Sequence, residues 1–492
     1  MAALTALAAG RIPYLFARRH GVLLHPAEGG DPVLWVCKGT PVAALAEVRR
    51  AVGPQVPVRV VPDDEFSQAL TSVYADGADS AASIVDTAGQ EVNLDQLVND
   101  LPPVEDLLAS DGDAPVIRLI NALIAQAVRE GASDIHIEPE EQRTVVRMRR
   151  DGELVEVLAP HRALHAAMSS RIKILAQLDI AEKRLPQDGR IAIRLAGKTV
   201  DVRVSTVPTS HGERVVMRLL DKDPKRMDLA VLGMAPDTLA SFDTAIHAPH
   251  GIVLVTGPTG SGKTTTLYGA LMRMNSRNRN IMTVEDPVEY DLAGIGQVQI
   301  HSRIDMTFAR ALRALLRQDP DVVMIGEIRD LETAQIAIQA SLTGHLVLAT
   351  VHTNDSVSAI TRLVDMGVEP FLLASSLIGV LAQRLVRQLC PHCKEPDPVY
   401  ADAVSEEQGR PFRPRGCPAC RGTGYSGRLG IYEWLSMDDR LRRLVHDGAG
   451  EHVLRDSARE HNGLRLLQED GQRWVRAGVT SVDELMRVAG DR

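Results

Sequence analysis

The sequence predicts an α/β protein: a parallel sheet with crossover helices, preceded by two smaller mixed modules and followed by a cysteine-bearing segment. Three observations predict it. Four short apolar runs, GIVLVTG (251–257), NIMTVED (280–286), DVVMIGE (321–327) and HLVLATV (345–351), alternate with helical patterns, as parallel strands joined by crossover helices do. Upstream, strand-like runs cluster instead of alternating, which marks α+β architecture. Four of the five cysteines form two C-x-x-C pairs, which in a reducing compartment read as a metal site and not as a disulfide framework.

Residues 1–75 mix helical and strand patterns, such as VPVRVV (56–61), and form a small N-terminal module. Residues 76–113 carry ten acidic side chains and no Lys or Arg, with Gly77, Gly89, Gly112 and the pair Pro102-Pro103. This composition predicts a flexible acidic linker with a short helix around Leu94–Val98. From Ala114 the apolar residues Val116, Leu119, Ile120, Leu123, Ile124 and Ala127 recur at spacings of three and four, which predicts an amphipathic helix. Strand patterns DIHIEP (134–139), TVVRMRR (144–150), IAIRL, VDVRVS and RVVMRLL follow. Asp-Gly pairs at 151–152 and 188–189 predict turns between them. These complete a middle α+β domain over 114–233. The sheet with crossover helices occupies 234–388, the tetracysteine segment 389–432, and a helical part 433–492.

Bulk properties narrow the function. The 492 residues suit roughly three domains of about 150 residues. A formal net charge of −9 and 3% aromatic residues disfavour phosphate tracking and base stacking, so no nucleic acid is expected as a partner. The opening MAALTALAAGRIPYLFARRH lacks a basic region before a long apolar stretch. The longest apolar run, Phe371 to Ala382, is interrupted by two serines and stops at Gln383, far short of the ~20 residues of a membrane span. A cytoplasmic chain is expected, reaching a membrane only through partners.

The strongest chemical signal is Gly257-Pro258-Thr259-Gly260-Ser261-Gly262-Lys263-Thr264, directly after the strand IVLVT. It fits the phosphate-binding P-loop pattern G-x-x-x-x-G-K-[ST]. Glycines let the backbone curl so that its N–H groups converge on phosphate oxygens. The following helix adds its positive end. Lys263 is placed for the β- and γ-phosphates, and the Thr264 hydroxyl for Mg²⁺. Glu327 ends the apolar strand DVVMIGE, where a carboxylate reaches the Mg²⁺ shell or its waters. Glu285, Asp286 and Glu289, in TVEDPVEY, follow a strand of the same sheet; any of the three can orient the attacking water. His345 and His352 flank LVLATV, at opposite ends, so at most one sits near a γ-phosphate. Cys390, Cys393, Cys417 and Cys420 leave 23 residues between their pairs and can close a structural Cys₄ zinc site. Cys37 stands apart and reads as a buried apolar residue. Arg190, Arg203 and Arg218 lie in the middle-domain strands, and Arg310, Arg313 and Arg317 on a helix before the DVVMIGE strand; some can reach nucleotide at a neighbouring edge.

GPTGSGKT, TVEDPVEY, RQDPDVVMIGEIRD and TGHLVLATVHTND, in this order, resemble the secretion ATPase superfamily of type II secretion and type IV pilus motors. DIHIEP, RLPQDGR and DVRVSTVPTSHGERVVMRLL extend the resemblance to about residues 110–490. SSLIGVLAQRLVRQLC, the cysteine pairs, GYSGRLGIYE and RIPYLFARRHGVLL resemble the type II secretion assembly ATPase branch; a type IV pilus extension ATPase is the alternative. The resemblance implies a RecA-like P-loop ATPase domain, two N-terminal modules and a zinc-bearing C-terminal segment. It implies a homo-hexamer at the inner membrane that hydrolyses ATP with Mg²⁺ and drives pseudopilus assembly, with Zn²⁺ on the cysteines. It maps the water-activating acid to Glu289 and the Walker B acid to Glu327. It brings Arg190, Arg203, Arg313 and Arg317 to nucleotide or subunit interfaces. Residues 1–110 would bind the cytoplasmic domain of a bitopic, L-type inner-membrane protein, and the motor would act on a polytopic, F-type platform protein.

Overall fold

The computed structural model describes residues 12, 17, 20–25, 32–52, 56–66, 69–70, 113–195, 198–220, 228–301, 304–399 and 410–490. The expected linker, with its short helix, lies outside them apart from Asp113. The chain divides into two compact units, Met1–Lys222 and Asp223–Arg492.

The first unit holds two sheets. In the N-terminal module, β1 (Val22–His25) pairs antiparallel with β2 (Val33–Cys37), and β2 pairs parallel with β3 (Val58–Val61) after helix α1 (Val42–Val52). Val22, Leu23, Leu34, Val36, Val48 and Val61 form its core. Cys37 is half-buried on the edge of that core and not inside it. Its thiol is pushed up to about 11 by burial and by the neighbouring Asp63.

In the middle domain, α2 (Asp113–Arg129) buries all six residues of the predicted stripe. Six antiparallel strands follow in the order β6-β5-β4-β9-β8-β7: β4 (Asp134–Pro139), β5 (Thr144–Arg150), β6 (Glu153–Leu158), β7 (Gln187–Leu195), β8 (Lys198–Thr209) and β9 (Gly212–Leu220). Helix α3 (Leu164–Leu175) sits between β6 and β7 in the chain. The Asp151-Gly152 turn forms as expected, with φ of 47° and 90°, the double left-handed geometry that suits a twisted hairpin. The Asp188-Gly189 turn does not. Both residues lie inside β7, and the glycine serves a close approach: a Cβ there would stand 2.5 Å from the Ala176 carbonyl oxygen.

The second unit carries a seven-stranded sheet in the order β12-β11-β13-β14-β10-β15-β18. Its parallel strands are β10 (Gly251–Thr256), β11 (Ile281–Glu285), β12 (Gly296–Gln299), β13 (Val322–Ile325), β14 (Leu346–Val351) and β15 (Leu377–Leu389). Helices α4 (Pro236–Ile246), α5 (Lys263–Met274), α6 (Phe308–Leu315), α7 (Leu331–Leu342), α8 (Ser356–Asp365) and α9 (Pro370–Ser376) connect or cover them. All six residues of β10 are buried. Ile252 and Leu254 enter one core, Val253 and Val255 the other, because successive strand residues face opposite sides. Both sheet faces are thus covered, as parallel sheets require.

The apolar run at 371–382, too short for a span, splits between α9 and β15. After β15 the chain makes the cysteine excursion, with a small ladder of β16 (Glu395–Pro396) and β17 (Phe412–Arg413). It returns as β18 (Tyr425–Ser436), antiparallel to β15 along most of its length. Helices α10 (Asp439–His446), α11 (Glu451–Asn462), α12 (Leu467–Arg476) and α13 (Val482–Ala489) end the chain.

Gly189→Ala should destabilise the middle domain by about 1–3 kcal/mol through overpacking against the α3 C-terminus. Hydrogen exchange on the full chain should show faster exchange of the β7–β8 amides; unchanged protection would refute the close-approach argument.

Candidate functional site: a phosphate-binding loop with converging charges

β10 delivers Gly257 at its C-terminal end, and α5 begins at Lys263. Between them the chain curls through left-handed Gly260 and Gly262, with φ of 80° and 87°, a conformation open to glycine without steric cost. Pro258, Thr259 and Gly260 form the exposed crest. Lys263 is 8% exposed, and its Nζ donates to the carbonyl oxygens of Gly257 (2.7 Å) and Pro258 (3.1 Å). An ammonium has three protons, so one remains for an incoming oxygen. Ser261 Oγ is buried and has no hydrogen-bond partner among the described residues. A buried hydroxyl without a partner is costly, and a phosphate oxygen in the curl would satisfy it. Thr264 is half-buried in the first turn of α5.

The charges converge at this end of the sheet. Glu327 lies two residues past β13, pairs with Arg329, and approaches His352 Nε2 at 3.4 Å. Burial brings the Lys263 ammonium down to about 8; Glu327 opposes this shift and Arg384 adds to it. Burial and then Lys263 hold His352 below its ordinary value, against the pull of Glu327. His352 is therefore a neutral donor–acceptor at pH 7. Asp286 is exposed and its field reaches Arg329.

Glu285 and Glu289 occupy different environments. Glu285 is 2% exposed and accepts from Tyr268 Oη (2.5 Å), Thr283 Oγ1 (2.5 Å) and Gln297 Nε2 (3.0 Å). Both of its oxygens accept from side chains of the second unit, which ties the loop that follows to α5 and β12. Glu289 is half-buried on that loop, and its backbone N–H donates to Tyr268 Oη at 3.3 Å.

His345 lies apart from this cluster. Its backbone carbonyl accepts from the first residue of β10, and its ring bonds Ala340 O and Thr343 Oγ1. Six strand residues at about 3.3 Å each put it ~20 Å from the P-loop end, so of the two histidines only His352 is at the site. Arg313 is exposed and pairs with Glu332 at 2.7 Å, and Arg317 donates to the Arg313 carbonyl. Neither is shown at the loop. Arg190 faces Arg203 across β7 and β8, and Arg203 faces Arg218 on β9. This arginine row belongs to the other compact unit.

Sequence reasoning overlooked Tyr268, Gln297, Arg329 and the pair Gln383-Arg384. The last pair had a signal: two polar residues ending an apolar run, the same logic that picked out Glu327.

The four cysteine sulfurs lie within 4.8 Å of one another. Cys390–Cys417, Cys393–Cys420 and Cys417–Cys420 separate by 3.9, 3.7 and 3.7 Å. Tetrahedral zinc with ~2.3 Å bonds sets its sulfurs about 3.8 Å apart, so the cluster fits zinc. Burial alone would raise the Cys420 thiol, but N–H groups of Cys417 and Gly424 donate to its sulfur and bring it down to about 6. These N–H groups favour the thiolate form of Cys420, and four thiolates would leave no position open for chemistry.

A loop that cradles phosphate, a buried lysine and a strand-end carboxylate on a covered parallel sheet define a P-loop nucleotide hydrolase. Comparison with known proteins then gives the family. Residues 109–487 match the family model described as type II/IV secretion system protein, and residues 11–74 match a domain model of GSPII protein E. The type II secretion system protein HxcR of Pseudomonas aeruginosa is 62% identical over 98% of this chain and 99% of its own. The type II secretion system ATPase E of Vibrio cholerae is 52% identical over 97% and 96%. Two solved structures share the fold. The pilus retraction motor PilT has a TM-score of 0.51 at 24% identity, covering 74% of this chain and 95% of its own. The ATPase DotB of Legionella pneumophila has 0.56 at 21%, covering 75% and 94%. The chain belongs to the type II/IV secretion system family, in its type II secretion system protein E branch. Among the described residues no helix is long and apolar enough to cross a membrane.

The purified chain should contain one zinc per molecule by elemental analysis. Cys420→Ser should lose it and speed exchange of the amides around 412–425; a chain without zinc, and with unchanged exchange in the variant, would refute the assignment.

Proposed function

We propose that this chain is the Mg²⁺-dependent motor ATPase of a type II secretion system, working as a cytoplasmic homo-hexamer that drives pseudopilus assembly and protein export. The observation that carries the catalytic reading is the convergence of Lys263, Glu327 and His352 on the phosphate-binding loop. Membership of the type II secretion protein E branch supports the biological role.

In this reading the loop amides and Lys263 hold the ATP phosphates. The groups that would hold Mg²⁺ are the Thr264 hydroxyl and Glu327, and the ion would supply neutralisation of the phosphate charge. Glu289 orients the attacking water. Tyr268, fixed by Glu285, carries the Glu289 backbone to its place. His352, neutral and beside Glu327, is suited to hydrogen-bond a γ-phosphate oxygen. Arg190, Arg203, Arg313 and Arg317 serve nucleotide at subunit boundaries, where planar guanidinium groups match phosphate oxygens.

Residues 1–110 would dock on the cytoplasmic domain of the bitopic L-type protein, tethering the motor to the inner membrane, and the polytopic F-type platform would receive its motion. A pull-down of the full chain against secretion and pilus partner domains tests this. Selective capture by the pilus partner would move the chain to the pilus extension motors.

Lys263→Ala should abolish Mg²⁺-dependent turnover. Glu289→Gln should lower kcat by about a hundredfold or more while nucleotide still binds; near-normal turnover would remove Glu289 from the chemistry. Bound phosphate favours the charged lysine, so ATP affinity should weaken as pH rises through about 8. A dissociation constant flat from pH 7 to 9.5 would contradict the buried-ammonium picture.

A further inference from the structure

β15 flanks β10 on the side away from β14. Its register sets Ala382 beside Thr256, so Gln383 is reached where β10 gives way to the loop. Gln383 is 2% exposed. Its Nε2 donates to the Ser261 carbonyl at 2.6 Å, and its Oε1 accepts from Thr266 Oγ1 at 2.7 Å. One amide thus joins the loop to the first turn of α5. The loop presses on this residue at both ends: a Cβ on Gly262 would stand 2.8 Å from Gln383 Nε2, and one on Gly257 2.4 Å from the Gln383 carbonyl oxygen.

The geometry points to a role that the phosphate-binding motif does not contain. In a trans peptide the C=O and the next N–H point in opposite directions. Holding the Ser261 carbonyl outward on Gln383 therefore aims the Gly262 N–H the other way, into the curl. Gly262, in the left-handed region, offers little resistance to a flip of that peptide, so the restraint must come from outside the loop. We propose that Gln383 is a positioning residue for nucleotide binding: it locks the Ser261–Gly262 peptide plane, and the Ser261 carbonyl, which can only accept, fixes which end of the amide is the donor while the Thr266 hydroxyl holds the other end. The inference rests on the ATPase reading above.

The test uses the full chain and a fluorescent ADP analogue, with each variant compared with wild type at the same pH. Gln383→Met keeps the volume and loses both hydrogen bonds; its dissociation constant should rise about tenfold, equivalent to about 1.4 kcal/mol. Gln383→Glu separates positioning from packing. Ionised, it cannot donate to Ser261 and sets a negative charge under the loop. Protonated, its O–H donates to the Ser261 carbonyl while its C=O accepts from Thr266, restoring both bonds. Its defect relative to wild type should therefore shrink toward unity as pH falls from 8.5 to 6. Among the described residues, Arg384 follows Gln383 in the chain and bears on Lys263, Glu433 faces the preceding Ala382 across β15 and β18, and Tyr432, which faces Gln383 itself, is under the influence of Asp470 and Arg473 on α12; the wild-type reference carries the titration of these groups. Affinities within twofold of wild type for both variants, or a pH-independent ratio for the glutamate variant, would overturn the proposal. If the methionine variant does not fold, the glutamate pH series decides alone. Should the wild-type chain bind no nucleotide, the ATPase reading fails first, and the two failures are told apart.

Discussion

A buried ammonium beside two backbone carbonyls, just past the C-terminal end of the interior strand β10, sets the terms for the rest of the second unit. Lys263 is largely withdrawn from water, and burial lowers its affinity for its own proton. A charge in that position is tolerable only where its hydrogen bonds are fixed in advance. Fixed carbonyls require a rigid loop, and a rigid loop requires a rigid strand beneath it. β10 provides this by being buried at every residue and sending alternate side chains into two separate cores. The helices over both faces are therefore part of the site, although none but α5 contributes a loop residue.

The parts of this design written locally were legible in the sequence. The stripe of α2 and the runs that became β4, β5, β10, β11, β13 and β14 follow from period and length. The loop motif follows from the backbone chemistry phosphate requires. What escaped depends on contacts between distant segments. Asp188-Gly189 has turn composition, yet its glycine answers to the Ala176 carbonyl at the C-terminal end of α3. Glu285 looked like its neighbours until Tyr268, Thr283 and Gln297 were seen to occupy its oxygens. His345 and His352 differ only in which end of one strand they cap. The run after Phe371 could be helix or strand by periodicity, and its division into α9 and β15 is settled by pairing with β10 and β18.

Charge is distributed against the average of the chain. The whole carries −9, but the loop brings Lys263 and Arg384 close enough to affect one another, and the middle sheet lines up Arg190, Arg203 and Arg218 on adjacent strands. Like charges directly opposite in a sheet are destabilising. Asp134 offsets part of this by pairing with Arg218 at 2.8 Å.

The cysteine segment is best understood through the hairpin it interrupts. β15 and β18 pair antiparallel, yet the connection between them runs from Cys390 to Gly424, far longer than a turn. Closing so long a loop costs chain entropy, though the cost grows slowly with length. Cys390 follows the last residue of β15, and Cys420 lies five residues before β18, so the four sulfurs gather at the neck of this connection. The strand that ends there is the one whose Gln383 touches the phosphate-binding loop. A metal at the neck would therefore act far from any reacting atom: it would hold the register of β15, and β15 in turn holds the loop.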